Sequence, residues 1–163
     1  MDLYLIRHAD AEPLSPGGPS SDAERPLSAD GLKQTQVLAD SLQKRGIRPE
    51  LIVSSPLLRA RQTAEGLLRG WSASGPEVCT CEHLEPGGRR RKLVRFLRQT
   101  GKNAVALVGH EPDLGELAAW LVGSKKAQIA FAKAAVAFIS FDDVAGKGGG
   151  ALKWLVTPDW MTS

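Results

Sequence analysis

The sequence predicts a single α/β domain over residues 1–163, with a mostly parallel central sheet flanked by helices and an antiparallel C-terminal hairpin. Three observations carry that expectation. Short apolar runs resembling buried strands (Leu3 to Ile6, Leu51 to Val53, Val105 to Val108) each stop abruptly at polar residues. The stretches between the runs carry apolar residues at helical spacing. Two last strand-like runs, Ala134 to Phe141 and Ala151 to Thr157, are joined by a Gly-rich connection too short for a crossover helix, so they pair antiparallel.

The elements follow in order. Leu3-Tyr4-Leu5-Ile6 is a first buried strand that delivers Arg7, His8 and Asp10 to its carboxyl end, where open α/β sheets keep their ligand sites. The stretch from Pro13 to Asp22 is a loop rich in Pro, Gly and Ser, either a mobile flap or a solvated connection. Ser28 caps a helix whose apolar stripe is Leu32, Leu38, Ala39 and Leu42, with Gly46 as its stop. After the Leu51 to Val53 strand, Ser55 caps a helix with Pro56 at its first position, and Leu57, Ala60, Ala64, Leu67 and Leu68 form its inner face. Arg59 lies in the first turn, off that stripe. Helical side chains tilt toward the N-terminus, so Arg59 aims back at the end of the preceding strand.

A third strand is expected over Glu77 to Cys81, then an amphipathic helix from Arg89 to Thr100 with Leu93, Phe96 and Leu97 inward. Its cations (Arg89, Arg90, Arg91, Lys92, Arg95, Arg98) suit an acidic partner, but equally a solvated face, and no aromatic platform for nucleic acid accompanies them. The Val105 to Val108 strand turns at Gly109-His110-Glu111-Pro112 into a helix begun by Pro112 and ended by Gly123, with Leu114, Leu117, Ala118 and Leu121 inward.

Composition narrows the function classes. The chain has 163 residues, 42% hydrophobic and 24% charged, with a net charge of +3. That charge is too small to argue for nucleic acid by itself. No apolar run reaches the roughly 20 residues of a membrane helix, and no signal peptide is evident. Cys79 and Cys81, two residues apart, are expected as reduced thiols on one face of a strand. A cytoplasmic monomer is the expectation.

Three strand ends thus converge: Arg7 and His8, then Arg59, then His110. Two guanidiniums can grip phosphoryl oxygens in bidentate fashion. A neutral imidazole is a competent nucleophile when its other nitrogen donates to a carbonyl or carboxylate. His8 is therefore the candidate nucleophile, and His110 the candidate stabiliser of charge on the transferring group. Singly, each residue has a plainer explanation as a structural histidine or a surface arginine. A metal site from His8, His83 and His110 is disfavoured by the arginines beside them. A P-loop is excluded because no Gly-x-x-x-x-Gly-Lys-Ser/Thr occurs.

Arg7-His8-Ala9-Asp10, Arg25-Pro26-Leu27-Ser28 with Gly31, Ser54-Ser55-Pro56-x-x-Arg59-x-x-Gln62-Thr63-Ala64 and Val108-Gly109-His110-Glu111-Pro112 together resemble the histidine phosphatase superfamily, and within it the short SixA-like branch of phosphohistidine phosphatases. The resemblance runs from residue 3 to about residue 141. It implies a phosphoglycerate-mutase-like sheet, phosphorylation of His8, a phosphoryl group held by Arg7, Arg59 and His110, and hydrolysis by water without metal or other cofactor. Ala9 stands where many members have Gly. The chain lacks room for the long insertions of the mutases, and an open site implies a phosphohistidine-bearing signalling or phosphotransfer protein as substrate. Glu85 is the candidate proton donor and Glu82 the second. The alternatives are a general phosphomonoesterase for small esters and a non-catalytic phosphate-binding module using the Arg89 to Arg98 face.

Overall fold

The computed structural model describes residues 1–71 and 75–161. Six strands form one sheet in the order β3-β2-β4-β1-β5-β6: β1 (Asp2–Arg7), β2 (Leu51–Ser54), β3 (Glu77–Thr80), β4 (Ala104–Gly109), β5 (Val136–Phe141) and β6 (Gly150–Val156). The first four are parallel, β5 runs antiparallel to β1, and β6 pairs antiparallel with β5. Helices α1 (Ala29–Lys44), α2 (Leu58–Leu68), α3 (Arg90–Thr100), α4 (Asp113–Leu121) and the short α5 (Pro158–Met161) complete the α/β domain. Strand alternation sets the layers. Leu3 and Leu5 of β1 join Leu107, Leu93, Leu97 and Leu114 on the α3/α4 face. Tyr4 and Ile6 join Val108, Leu38, Ala60 and Leu67 on the α1/α2 face. No helix among the described residues is long and apolar enough to cross a membrane.

The register fixes the working edge. Ile6 pairs with Val108 and Arg7 with Gly109, while Ser54 also pairs with Val108. The residues that follow β1, β2 and β4 (His8, Ser55 and His110) therefore leave three adjacent strands at one level.

Several local expectations shift. Leu32 is 57% exposed rather than inward. The buried face of α1 runs through Gly31, Thr35, Leu38 and Leu42, because Gly31 sits on the chain after β1 so closely that a Cβ there would stand 2.0 Å from the Asp10 carbonyl oxygen. Leu32, about 100° further around the helix, then faces solvent. The start of α1 is as read: the Ser28 hydroxyl accepts from the Gly31 N–H (3.1 Å) and donates to the Asp10 carboxylate (2.7 Å).

Helix α2 begins at Leu58, two residues later than Pro56 suggests. Ser55 prolongs the β2–β4 ladder, its N–H donating to the Val108 carbonyl (2.9 Å). Helix α4 likewise begins at Asp113, one residue past Pro112. Strand β3 ends at Thr80, so Cys81 lies just beyond it. Both cysteines are free thiols. Strand β5 starts at Val136 because Ala134 bends the chain with φ 55°.

Candidate active site

His8 is pinned before its side chain is considered. Its N–H donates to the Gly109 carbonyl (3.0 Å), its carbonyl accepts from the Ala134 N–H (3.4 Å), and the next N–H, of Ala9, donates to Thr63 Oγ1 (3.1 Å). Thr63 in turn donates to the Arg59 carbonyl (2.8 Å), tying the first turn of α2 to the end of β1.

The ring is oriented by one strong contact: His8 Nδ1 lies 2.7 Å from the Ala9 carbonyl oxygen. A carbonyl only accepts, so Nδ1 carries the proton and Nε2 keeps its lone pair. Arg59 Nε donates to that Nε2 from 3.2 Å. Burial drives the His8 pKa down to about 3, and the nearby charges of Lys133 and Arg59 act in the same direction. At neutral pH the imidazole is neutral, with a defined tautomer and a lone pair directed into the site.

His110 stands opposite, with ring centroids 5.0 Å apart. Its Nε2 is 2.8 Å from Ser55 Oγ. Ser55 Oγ also accepts from the Leu57 N–H (3.3 Å), and its hydroxyl proton is free to go to Nε2, the arrangement that puts the ring proton on Nδ1. Burial, with help from Arg59, lowers the His110 pKa to about 4. His110 Nδ1 and Arg7 Nε are both buried without a hydrogen-bond partner. Buried polar groups are ordinarily satisfied, so two unsatisfied ones, on the residue before His8 and on the ring across from it, define a place suited to anionic oxygens.

The arginines divide the work of holding this pocket. Arg7 donates from Nη1 to the Phe131 carbonyl (2.7 Å), which frees its Nε edge. Arg59, 5% exposed, has its Nη1 on the Asp22 carbonyl oxygen (2.6 Å) and its Nη2 on the Asp22 carboxylate (3.0 Å). Asp22 is itself bound by Arg25 (2.9 Å). The Arg25 hydrogen bond, then that of Arg59, holds its carboxyl below the usual carboxylate range. The loop from Pro13 to Asp22 thus closes onto the site through its last residue. Its base is tied by the Ala11–Leu27 bridge.

Three contributors escaped the sequence reading. Asp22 gave no signal within a loop of Pro, Gly and Ser. Lys133 is half-buried beside Arg7, Asp10, Arg25 and Arg59; burial, and then Arg7, lowers its pKa. A lone cation in Ile129-Ala-Phe-Ala-Lys-Ala-Ala was the available hint. Glu111 accepts from the Phe131 N–H (2.7 Å), so it holds the same residue whose carbonyl holds Arg7. Arg7, Arg25, Arg59 and Lys133 set against Asp10 and Asp22 leave two positive charges in excess, the complement of a phosphoryl dianion.

Glu85 makes no polar contact with the other four. Among the described residues its carboxylate makes no hydrogen bond or ion pair, and it lines a hollow with His83, Arg89 and Lys92. His83 lies 3.7 Å from the Glu82 carboxylate rather than with the other histidines. No group of three or more potential metal ligands occurs among the described residues.

Comparison with known proteins gives a consistent picture. The histidine phosphatase superfamily (branch 1) profile matches residues 3–85. An uncharacterised protein of Picosynechococcus is 39% identical over 121 residues, covering 72% of this chain and 71% of its own. The phosphohistidine phosphatase SixA of Escherichia coli is 27% identical over 163 residues, covering 97% and 94%. A solved structure of the protein histidine phosphatase SixA complexed with tungstate superposes with a TM-score of 0.84 at 27% identity, covering 99% of both chains.

Proposed function

The chain belongs to the histidine phosphatase superfamily, and we propose that it hydrolyses phosphohistidine on a partner protein through a phospho-His8 intermediate. The observation that carries this reading is the lone pair of His8 Nε2, fixed by the Nδ1–Ala9 hydrogen bond and flanked by the unpartnered donors Arg7 Nε and His110 Nδ1.

His8 Nε2 attacks the phosphorus as the bond from phosphorus to the substrate nitrogen breaks. The departing imidazole leaves neutral when its other nitrogen already carries a proton, so the step does not require a strong acid. That suits a Glu85 carboxylate that makes no polar contact with the phosphate-facing groups, and makes Glu85 dispensable for phosphohistidine. Arg7 Nε, His110 Nδ1 and Arg59 Nε hold the three phosphoryl oxygens, and these hydrogen bonds strengthen as charge spreads over those oxygens in the transition state. For the attack, Arg59 Nε turns from His8 Nε2 to a phosphoryl oxygen. Water then attacks phospho-His8, the nitrogen–phosphorus bond breaks, and inorganic phosphate leaves with His8 restored. Lys133 adds charge at the mouth of the site.

The substrate assignment draws on the SixA relative, named a phosphohistidine phosphatase, and is supported by a SixA structure complexed with tungstate, a tetrahedral oxyanion like phosphate. The free cysteines support a reducing, cytoplasmic setting. The test compares kcat/KM on a phosphohistidine-bearing phosphotransfer protein with that on sugar phosphates, in the presence of EDTA. A preference for the phosphoprotein is expected. A clear preference for sugar phosphates would replace this reading with a general phosphomonoesterase.

A further inference from the structure

The chain's positive charge is concentrated in one segment. Residues 86–110 hold seven of the 21 Lys and Arg residues and none of the 18 Asp and Glu. Outside it, 14 cationic residues face 18 acidic ones, a net charge of −4, although the whole chain is +3.

The fold sets this segment beside the site. A groove of about 610 Å³ runs from His110 along the first turn of α3. Buried Leu84, Leu93 and Leu114 make its floor, and exposed Arg89, Arg91 and Lys92 make its rim. The turn leading into α3 is backbone-tight: Gly87 has φ 77°, and a Cβ on Gly88 would stand 2.1 Å from the His83 carbonyl oxygen. The Gly87 N–H is anchored to the Asp113 carboxylate (3.1 Å) at the start of α4. The basic rim is therefore held in place against the groove. Among the described residues, Arg89, Arg91 and Lys92 have no acidic partner; Arg90 alone of the four contacts one, Glu116 at 3.6 Å. A face built only for solubility would be expected to mix its charges along the helix. Here the cations cluster with an apolar floor and open onto His110.

We propose that this groove is the docking surface for the phosphohistidine-bearing partner, and that the partner presents an acidic face around its phosphorylated residue. The proposal rests on the phosphohistidine phosphatase reading and adds the chemistry of the partner to it. Apolar contact on the floor supplies affinity, while the cationic rim steers encounter and rejects basic phosphoproteins. The rim touches no phosphoryl oxygen, so it acts on the protein substrate and leaves the chemical step alone.

The test uses two phosphohistidine substrates: a phosphotransfer protein with an acidic surface, and free phosphohistidine. Two variants are compared with wild type, the charge reversal Arg89→Glu/Arg91→Glu/Lys92→Glu and the neutralisation Arg89→Gln/Arg91→Gln/Lys92→Gln. On the acidic phosphoprotein, the reversal is expected to lower kcat/KM by about tenfold or more and the neutralisation by less, mainly through KM, with the salt dependence of the wild type lost. On free phosphohistidine both variants are expected to match wild type, which also reports that they fold. Unchanged kinetics on the phosphoprotein would overturn the docking proposal, as would equal losses on both substrates. A wild type that turns over neither substrate would remove the phosphatase reading itself, a distinct failure.

Discussion

Removing the Glu111 carboxylate is expected to weaken phosphate binding at a distance, through Arg7. Glu111 Oε1 accepts from the Phe131 N–H at 2.7 Å, and the Phe131 carbonyl accepts from Arg7 Nη1 at 2.7 Å. Arg7 in turn presents the unpartnered Nε. A hydrogen bond to a charged group contributes about 1.5–3 kcal/mol, and Glu111 is only half-buried, so about 1.5 kcal/mol is the appropriate end of that range. At about 1.4 kcal/mol per factor of ten, Glu111→Ala should lower kcat/KM on the phosphohistidine protein by about tenfold. Glu111→Gln, whose amide oxygen can still accept, should lose about threefold. Glu111 is a positioning residue in this account, so the inhibition constant of inorganic phosphate should rise by the same factor as kcat/KM falls. A general loosening of the fold would instead lower the melting temperature without moving that constant. Wild-type kinetics in Glu111→Ala, or equal impairment of the Ala and Gln variants, would refute the reasoning.

Other consequences can be measured alongside. His8 and His110 have folded pKa values of about 3 and about 4 against 6.5 unfolded. The unfolded chain therefore binds more protons on acidification. The stability these residues contribute is complete above pH 6.5 and is lost as pH falls from there toward about 4 for His110 and about 3 for His8, by up to about 2 kcal/mol each at pH 5. Melting curves between pH 7 and 5 should show this fall, and His110→Asn should flatten it; an unaltered slope would contradict the assignment. Asp22→Ala should release one arm of the Arg59 fork, Nη2, while Nη1 keeps the backbone carbonyl of residue 22. That pair joins a 6% exposed arginine to a 51% exposed carboxylate and so contributes only about 0.5–1 kcal/mol. Inorganic phosphate or tungstate is then expected to bind about threefold tighter by calorimetry, and weaker binding would show that Asp22 helps to hold the anion.

The sequence made the framework readable because its signals are local. An apolar run that stops at Arg7-His8 or Gly109-His110 states both the strand and its polar end, and the α2 first turn gives Arg59 its direction. Helix starts were misplaced where Pro followed a plausible cap, since Ser55 is committed to the ladder with β4 and to His110. Leu32 was misplaced because Gly31, by meeting the Asp10 backbone, sets the face of α1. Asp22, Glu111 and Lys133 were illegible for a different reason. Their roles depend on partners far along the chain: Asp22 reaches Arg59 across 37 residues and Glu111 reaches Phe131 across 20. Nothing in their neighbours announces those contacts. Glu85, chosen from its place after the third strand, makes no polar contact with the phosphate-facing groups.

The central claim is that His8 carries the phosphoryl group. Rapid quench of wild type with a phosphohistidine protein labelled in its phosphoryl group should trap acid-labile, base-stable label on the peptide containing His8, formed at least as fast as turnover. His8→Ala should show neither label nor turnover. Label on any other residue, or undiminished turnover by His8→Ala, would contradict the account.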